Sequence, residues 1–457
     1  MPADLVIRPV EVAPGSLLEL HAAYPALYPA LLESAATGPT LGRFDILFAY
    51  PSDHLTLDAQ GVLHRGDTKL AGNNFLAEFD AWWRMSRSDR TDAELPFTGG
   101  WLLYLGYELA GQIEPKLQLR TPFGRPIAKA MRVAAAVILE HASRRVCIVA
   151  EADSAHLIPA IERDLVSVSA TQEQAPHPLL ASSVTEDEPE RYLNAVSRAL
   201  DLIAAGDIYQ ANLSRAWHAT LRDTVMPHHV YRRLRKSNPG PFCGLAVFDD
   251  FAIVSSSPER LVSVREGWIS TRPIAGTRPR GVTPEADAQL VRELHEHPKE
   301  RAEHIMLIDL ERNDLGRVCE AGSVSVDEYM TIESYAHVHH IVSNVKGLLR
   351  PEIAPGTALA AVFPGGTITG CPKVRCMEII AELEDTARGA YTGSIGYVNR
   401  DGSMDFNILI RSIELLGKQA TLRAGAGVVA DSIPERELEE SRAKARGVLR
   451  ALSEDVG

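Results

Sequence analysis

The chain has 457 residues, of which 45% are hydrophobic and 23% are charged, and its formal net charge is −13. This length and composition indicate a globular protein with two or three domains, or one large domain with an appended lobe. No apolar run approaches the roughly 18 residues of a membrane helix, and the acidic balance disfavours a nucleic acid as partner. The five cysteines are scattered and the N-terminus lacks a secretion signal pattern, so we expect a cytoplasmic protein with reduced thiols.

The first third of the chain contains β-type runs, which are rich in β-branched and aromatic residues and bounded by glycine or proline. They are Ile46–Tyr50, Trp101–Tyr107, Val133–Glu140 and Arg145–Glu151. A segment rich in Ser, Thr, Pro and acidic residues follows at Val166–Glu190 and predicts a linker or long loop. The expected division is therefore an N-terminal region 1–165, a linker 166–190 and a C-terminal region 191–452.

The C-terminal region mixes helical and strand patterns. Helices are predicted at Arg191–Ala205, Pro284–His295, Lys299–Asn313, Cys371–Leu383 and Glu435–Leu452. Strands are predicted at Gly244–Phe248, Phe251–Ser255, Leu261–Val264, Ile341–Leu349, Gly393–Val398, Met404–Glu414 and Ala420–Val429. Because no repeat and no regular alternation of strands and helices is visible, the sequence predicts an α+β fold with extended antiparallel sheets.

Two pairs of glutamates have helical spacing. Glu300 and Glu303 are three residues apart, as are Glu437 and Glu440, so each pair lies on one helix face. For either pair alone, a solvated surface is the simpler interpretation. However, the first pair leads into the apolar run HIMLIDL and the second follows a glycine turn. Four carboxylates with water would suit Mg²⁺, which favours a metal site.

Other residues have the chemistry needed to bind an anion. The run AGAG at Ala424–Gly427 offers N–H groups that no Cβ blocks, although such glycines also mark bulges and turns. Arg411 lies in the apolar run NILIRSIEL, where it needs either a core salt bridge or a substrate carboxylate. Tyr397 and Lys444 could add a hydroxyl donor and a cation, with structural roles as the alternative.

Glu259 and the histidine pair have two interpretations each. Glu259 follows SSSP at a strand end, where proline forces a turn. It would be a general acid if burial raises its pKa, and a surface residue otherwise. His339 and His340 precede a β-run, so alternation buries one of them at most, and a core histidine is the simpler interpretation.

A third segment, FPGGTITGCPKVRCM at Phe363–Met377, accompanies KERAEHIMLIDLERNDLGR at Lys299–Arg317 and RAGAGVVADSIPERELEESRAKAR at Arg423–Arg446. With these motifs the chain resembles the chorismate-utilising enzymes, in particular the large components of aminodeoxychorismate synthase and anthranilate synthase. The resemblance covers most of the chain and is densest from about Arg191 to Arg446.

The resemblance implies a sandwich of two large antiparallel sheets with flanking helices and an active site between them. It also implies roles for individual residues: Mg²⁺ ligation by Glu303 and Glu440 with support from Glu300 and Glu437, contact with substrate carboxylate by Tyr397, Arg411, Gly425, Ala426, Gly427 and Lys444, positions beside the ring for His340 and Thr367, and protonation of the departing C4 hydroxyl by Glu259.

Gln210, in GDIYQANLSR, separates branches of this family. Isochorismate and salicylate synthases resemble this segment but carry a lysine there that activates water, and glutamine cannot act as that base. The resemblance therefore implies that ammonia is the nucleophile and that a separate glutaminase subunit supplies it. Mg²⁺ on the ring carboxylate would make C2 of the substrate electrophilic.

The choice between the two aminating branches depends on short segments. YQANLSR, SSSPER, TITGCPK and YTGSIGYV resemble the aminodeoxychorismate branch, which leads to para-aminobenzoate and folate. Ala275 in PIAGT points to the anthranilate branch, because typical aminodeoxychorismate synthases carry a lysine there that is proposed to attack C2. We expect 4-amino-4-deoxychorismate as the product, with anthranilate as the alternative and an inactive regulatory subunit as a minor one.

Two further segments, LLES at Leu31–Ser34 and NPGPF at Asn238–Phe242, resemble the tryptophan pocket of the family. The residues concerned are Ser34, Asn238, Pro239, Pro241 and Phe242. Tryptophan bound there would be a feedback inhibitor in one branch and a structural ligand in the other. Apolar packing alone would explain both segments equally well.

Overall fold

The computed structural model describes residues 5–13, 15–35, 42–89, 94–168, 178–334 and 338–453. The strands within these ranges are β1 (Leu5–Val10), β2 (Ala30–Glu33), β3 (Phe44–Leu57), β4 (Leu63–Arg65), β5 (Thr68–Lys69), β6 (Gly100–Leu105), β7 (Ala128–Glu140), β8 (Arg145–Glu151), β9 (Thr185–Glu186), β10 (Gln210–Thr220), β11 (Phe242–Phe248), β12 (Phe251–Ser257), β13 (Arg260–Arg265), β14 (Trp268–Thr271), β15 (Ile274–Pro279), β16 (Ser325–Ser334), β17 (Val338–Leu348), β18 (Gly370–Cys371), β19 (Ser394–Asn399), β20 (Met404–Asn407), β21 (Ser412–Leu416) and β22 (Gln419–Val428).

The helices pack around these strands. In the described ranges they are α1 (Ser16–Ala23), α2 (Phe75–Ser86), α3 (Ala110–Ile113), α4 (Ile158–Val168), α5 (Pro189–Ala204), α6 (Pro227–Ser237), α7 (Pro284–Glu296), α8 (Pro298–Gly316), α9 (Pro355–Val362), α10 (Lys373–Leu383) and α11 (Pro434–Leu449). Short 3-10 helices cover Tyr107–Leu109, Ala152–Leu157 and Gly366–Ile368. No helix of the described residues is long and apolar enough to cross a membrane.

Every strand pairing between described residues is antiparallel, and the strands form one hydrogen-bonded network. The long strand β7 pairs with β3 on one edge and with β6 and β8 on the other. A first arm runs from β3 through β2, β11, β12 and β21 to β22 and β10. A second arm runs from β6 through β19, β20, β13 and β14 to β17, which pairs with β15 and β16. The predicted α+β fold with extended antiparallel strands is confirmed, whereas the division into two separate sheets is not.

Strands from the N-terminal part of the chain belong to both arms, because β2 pairs with β11 and β6 pairs with β19. Within the segment predicted as a linker, α4 continues to Val168, β9 pairs with β10, and α5 begins at Pro189. Residues 169–177 of that segment lie outside the described ranges. The division into regions 1–165, 166–190 and 191–452 stays a prediction.

The helices that carry the predicted acidic residues form where the sequence places them. Helix α8 begins with Pro298, whose missing N–H and fixed φ suit the first turn, and it contains both Glu300 and Glu303. Helix α11 likewise begins with Pro434 and contains Glu437 and Glu440.

The predicted strand Met404–Glu414 is wrong as a single element. Strand β20 ends at Asn407 and β21 begins at Ser412. Between them the chain leaves the sheet to bond the turn after β12: the Ile408 N–H donates to the Glu259 carbonyl at 3.0 Å, and the Ile408 carbonyl accepts from the Ser257 hydroxyl at 2.5 Å. An apolar run gives no signal of such a break, because its local pattern is that of a buried strand.

The largest apolar core lies between helix α2 and the second arm. Trp101 of β6 is fully buried and packs edge-on against Phe79 and Trp82 of α2, with ring centroids 5.7 and 5.6 Å apart. Edge-to-face pairs of this kind add to the free energy gained by burying the rings. The core thereby fixes α2 against the strand that joins β7 to the rest of the second arm.

Candidate active site

A cavity of about 690 Å³ lies where the far ends of the two arms face each other. The first arm supplies β10 and β22, the second supplies β15 and β17, and helices α8 and α11 contribute to the wall. Most of the residues predicted from the sequence line this cavity: Glu259, Glu300, Glu303, His340, Thr367, Arg411, Gly425, Gly427, Glu437, Glu440 and Lys444. The four glutamates therefore line one chamber, although the side chain of Glu440 is 50% exposed.

Two predicted contact residues are not among those that line this cavity. Tyr397 lines a different cavity and packs against Phe48 and Phe97, with ring centroids 6.4 and 5.9 Å apart. The tyrosine in the wall of the first cavity is Tyr391, so the prediction that grouped Tyr397 with the substrate contacts is corrected. Ala426 is fully buried between the two glycines of β22 that do line the cavity.

Glu259 has the environment of a general acid. It lies just after β12, 6% exposed, and its Oε1 accepts a hydrogen bond of 2.8 Å from the Thr367 hydroxyl. Burial raises the pKa of Glu259 to about 7, although the Thr367 hydrogen bond and the charge of Arg411 act to lower it. The surface alternative is therefore excluded, and a good fraction of this carboxyl carries a proton at neutral pH.

His340 is held in its neutral form. Its Nδ1 lies 2.9 Å from the Thr277 hydroxyl, across the pairing of β15 with β17. Burial and the nearby Arg411 charge lower the pKa of His340 to about 4. The neighbouring His339 is also buried but points to another group, with its Nε2 2.9 Å from an Asp287 carboxylate oxygen. The expectation that only one of the two histidines is buried is wrong.

Arg411 lines the cavity, and its backbone is fixed by hydrogen bonds. Its backbone has a φ of +51°, in the left-handed region, and its carbonyl accepts hydrogen bonds of 3.2 Å from the Ser256 N–H and hydroxyl. Within the described part of the chain, no hydrogen bond or ion pair engages the guanidinium, which lines the cavity. Burial lowers the pKa of Arg411. A structural core salt bridge is thus not what holds this cation in place.

A glycine of β22 leaves room for a side chain of β10 in the cavity wall. Gly427 pairs with Asn212 across the strands, and a Cβ added at Gly427 would collide with the amide of Gln210. That amide instead donates a hydrogen bond of 3.0 Å to Glu303 Oε1. The absence of a side chain at Gly427 therefore leaves the space in which the Gln210 amide reaches Glu303.

The glutamates are engaged by other groups of the chain, and for three of them the partner side chain is clear. Glu303 accepts from Gln210, Glu300 Oε1 lies 2.7 Å from an Arg278 nitrogen, and Glu440 Oε1 lies 2.8 Å from Lys444 Nζ. Among the described residues, no three acidic, histidine or cysteine groups converge closely enough to hold a metal ion. The donor set itself fits Mg²⁺, which prefers carboxylate oxygens and water, provided that these side chains change partners.

The second cavity, of about 470 Å³, corresponds in part to the predicted tryptophan pocket. Ser34, Pro241 and Phe242 line it, as does Tyr397. Asn238 and Pro239 do not. Asn238 instead donates a hydrogen bond of 2.8 Å to the Ser256 hydroxyl, so its observed contact is with the turn that holds Arg411.

Sequence reasoning missed several residues of the first cavity: Asn212, Thr277, Arg278, His297, Tyr391 and Arg423. A signal was available for two of them, because Thr277 and Arg278 follow Gly276 in PIAGTR and a glycine inside a strand pattern suggests a bulge. The structure gives this glycine a φ of +64°. Tyr391 and Tyr397 stand in the same motif, YTGSIGYV, and only the fold separates them.

Residues 30–450 match the family described as chorismate binding enzyme. The chain is 42% identical over 437 residues to aminodeoxychorismate synthase component 1 of Bacillus subtilis, covering 92% of this chain and 91% of that protein. It is 39% identical over 451 residues to anthranilate synthase component 1 of Pseudomonas aeruginosa, covering 93% and 90%. The crystal structure of anthranilate synthase component I from Streptococcus pneumoniae TIGR4 superimposes with a TM-score of 0.80 at 33% identity, covering 89% of this chain and 92% of that one. The chain therefore belongs to the chorismate-binding enzymes and has the anthranilate synthase component I fold.

Proposed function

We propose that this chain is the large component of an aminodeoxychorismate synthase, which replaces the C4 hydroxyl of chorismate with an amino group. The observation that carries this proposal is a buried acid in the same cavity as a guanidinium that makes no hydrogen bond or ion pair to any described residue. Glu259 has a pKa of about 7, and Arg411 has no hydrogen-bond partner among the residues described. The similarity to the Bacillus subtilis enzyme over 92% of the chain supports this branch.

Chorismate is a dianion, and the cavity offers donors for its carboxylates. Arg411 can form two parallel hydrogen bonds to one carboxylate, and the glycine-rich end of β22 exposes backbone beside it. Tyr391 adds a hydroxyl to the same wall. His340 adds no charge, because its pKa of about 4 keeps the imidazole neutral next to the ring.

Glu259 would deliver the proton that the reaction needs. As the C4–O bond breaks, the hydroxyl takes the proton of Glu259 and leaves as water. Thr367 orients the carboxyl through its 2.8 Å hydrogen bond. An ionised carboxylate cannot do this, so the raised pKa is the property that makes Glu259 suitable.

We propose Mg²⁺ as cofactor, held by Glu303 and Glu440 with Glu300 and Glu437 in support. When bound to the ring carboxylate, Mg²⁺ would withdraw electron density from the diene. The chain's own task is to supply carboxylate oxygens from α8 and α11 to the cavity they share.

Replacing either proposed ligand by alanine (Glu303→Ala or Glu440→Ala) should reduce turnover by about 100-fold or more while the fold survives, since both side chains lie at a cavity wall and not in the core. Steady-state rates and thermal unfolding measure the two effects. Glu439→Ala is the control, because Glu439 pairs with Arg442 and does not line the cavity. Wild-type rates in either test variant would contradict the metal assignment.

Ammonia is the proposed nucleophile. Gln210 lines the cavity in the segment where the resemblance to isochorismate and salicylate synthases places their lysine, and its amide nitrogen donates to Glu303. An amide has no basic lone pair to accept a proton from water. We propose that a separate glutaminase subunit supplies ammonia and that both act in the cytoplasm, in the synthesis of para-aminobenzoate and folate.

Anthranilate synthesis is the second candidate. Ala275 lines the cavity, so the wall offers no lysine there for covalent attack at C2. Direct attack of ammonia at C2 and loss of pyruvate would then give anthranilate. The similarity to the Pseudomonas aeruginosa enzyme is compatible with this outcome.

Identification of the product decides between the candidates. The pure chain is incubated with chorismate, Mg²⁺ and an ammonium salt. The products are separated and their masses are determined by mass spectrometry. We expect 4-amino-4-deoxychorismate, which retains the enolpyruvyl group. Fluorescent anthranilate as the main product would support the second candidate instead, and zero turnover with intact Mg²⁺ binding would indicate an inactive regulatory subunit.

A further inference from the structure

Two cations in the cavity wall are paired with glutamates that the proposed function assigns to the metal. Arg278 pairs with Glu300 at 2.7 Å, and Lys444 pairs with Glu440 at 2.8 Å. The side chains of the first pair are 24% and 17% exposed, against 46% and 50% in the second. Because water screens buried pairs less, the Arg278–Glu300 pair is the stronger of the two.

The backbone of β15 is shaped to make this pair. The register of β15 on β17 shifts between Ala275 and Thr277, and Gly276 at the shift has a φ of +64°. A Cβ at Gly276 would also collide with Glu300 Oε2 and lie 2.8 Å from Leu294 Cδ1, so glycine suits both the backbone angle and the close approach to the carboxylate. Arg278 then lies one residue beyond Thr277, whose carbonyl accepts a further hydrogen bond of 3.0 Å from the guanidinium.

Only one of the two carboxylate oxygens of Glu300 has a partner among the described residues. Its Oε1 faces Arg278, whereas its Oε2 is buried and makes no hydrogen bond to any residue in the described ranges. A buried carboxylate oxygen without a partner is unfavourable and normally finds a donor, a water or an ion. Glu300 is therefore prepared to accept a second cation, and Arg278 competes for it.

We propose that Arg278 is an exchangeable counter-ion: it holds Glu300 until a divalent cation takes its place, and then pairs with a carboxylate of the substrate. This inference rests on the proposed function, which supplies both the metal and the dianion. Arg278 lines the same cavity as Arg411, so its guanidinium stays within the chamber that the substrate enters. A released cation in a partly buried wall needs a new anion, and the substrate provides one.

The exchange couples the two ligands. Binding of the divalent cation frees Arg278 for the dianion, and binding of the dianion removes Arg278 from Glu300. Each ligand therefore raises the affinity for the other by the same factor, as linkage requires. Arg278 is thus a positioning residue that makes metal and substrate bind together.

Titration calorimetry with Mg²⁺ tests this, with and without chorismate in an ammonium-free buffer so that no amination occurs. Without chorismate, Arg278→Ala should bind Mg²⁺ about fivefold more tightly than the wild type, because the competitor is gone. With chorismate, the enhancement of Mg²⁺ affinity seen in the wild type should shrink by about the same factor.

Arg280→Ala is the matched control, since it removes the same charge two residues away. Arg280 pairs with Asp287 at 2.9 Å and does not line the cavity, so both Mg²⁺ affinities should equal those of the wild type. In a Glu300→Gln background, Arg278→Ala should have no effect on Mg²⁺ affinity, because the pair is already broken. Thermal unfolding checks each variant, and Arg278→Met, which keeps the apolar stem, replaces the alanine variant if that one is unfolded.

Two failures are distinguishable. Equal Mg²⁺ affinities in Arg278→Ala and the wild type, or equal gains in Arg278→Ala and Arg280→Ala, would overturn the exchange and leave the proposed function standing. A wild-type chain that binds no Mg²⁺ even with chorismate would overturn the metal assignment and this inference with it.

Discussion

At the scale of single residues, burial decides what each charged group can do. Glu259 and His340 line the same cavity, and burial favours the neutral form of both. For the carboxyl this means a pKa of about 7, so it can donate a proton, and for the imidazole a pKa of about 4, so it stays uncharged. Burial thus keeps a proton on the Glu259 carboxyl and keeps the His340 imidazole uncharged.

Replacing the acid by its amide, Glu259→Gln, should reduce kcat by about 10²–10⁴-fold, the usual contribution of a general acid. Because the protonated form is the active one, wild-type kcat/KM should fall as pH rises through about 7, and this alkaline limb should disappear in the variant. A pH–rate profile measures both effects.

Thr367→Val serves as the companion variant. The lost hydrogen bond favoured the ionised carboxylate, so the pKa of Glu259 should rise and the alkaline limb should move to higher pH. A limb at the same pH in wild type and Thr367→Val would contradict the assignment of Glu259.

The two tyrosines of YTGSIGYV should differ in their effect on substrate binding. Tyr391→Phe removes a hydroxyl from the cavity and should raise the KM for chorismate about tenfold or more, as expected for a lost hydrogen bond to a charged group. Tyr397→Phe is the control, because Tyr397 lines the other cavity and should leave KM unchanged. A raised KM in the Tyr397 variant alone would show that Tyr397, and not Tyr391, contacts the substrate.

At the scale of elements, carboxylates from distant elements hold the backbone just before Tyr391. Glu108, in the middle of a 3-10 helix, accepts from the Arg388 N–H at 2.8 Å, and Glu414 of β21 accepts from the Ala390 N–H at 2.9 Å. Burial raises the pKa of both carboxyls. These acids lie far from Tyr391 in sequence, so no local pattern indicates which tyrosine they hold at the cavity.

The pairing of β10 with β22 makes a further prediction. Gly427→Ala introduces a Cβ that collides with the Gln210 amide, which should break the bond to Glu303 and lower kcat/KM by about 100-fold. Gly316→Ala is the control, because nothing lies within 4 Å of a Cβ there. Equal activity of both variants, measured with chorismate and ammonia, would show that the close approach of β10 is unimportant.

At the scale of the whole molecule, one continuous strand network joins both arms to a shared core. Trp101 of β6 is fully buried at the point where the second arm leaves β7. The two walls of the cavity are thus held by the same packed interior, and the loss of that packing should affect the whole chain.

Trp101→Ala should lower the free energy of unfolding by about 3–5 kcal/mol, because a large cavity remains in the core. Urea denaturation followed by circular dichroism measures this. Trp268→Ala, at a residue that is 42% exposed, should cost less than about 1 kcal/mol. A similar loss in both variants would show that Trp101 is not central to the core.

The sequence alone determined the α+β fold, the helices that carry the four glutamates and most of the charged residues of the cavity, because helical spacing, glycine turns and ordered motifs are local signals. Only the tertiary structure decided that Arg411 lies in a break between β20 and β21, that Tyr391 and not Tyr397 faces the cavity, and that Arg278 holds Glu300. These features depend on strands that are far apart in the chain and meet at the ends of two arms. Burial and charge pairing at such a meeting point are properties of the packed molecule, which no single segment encodes.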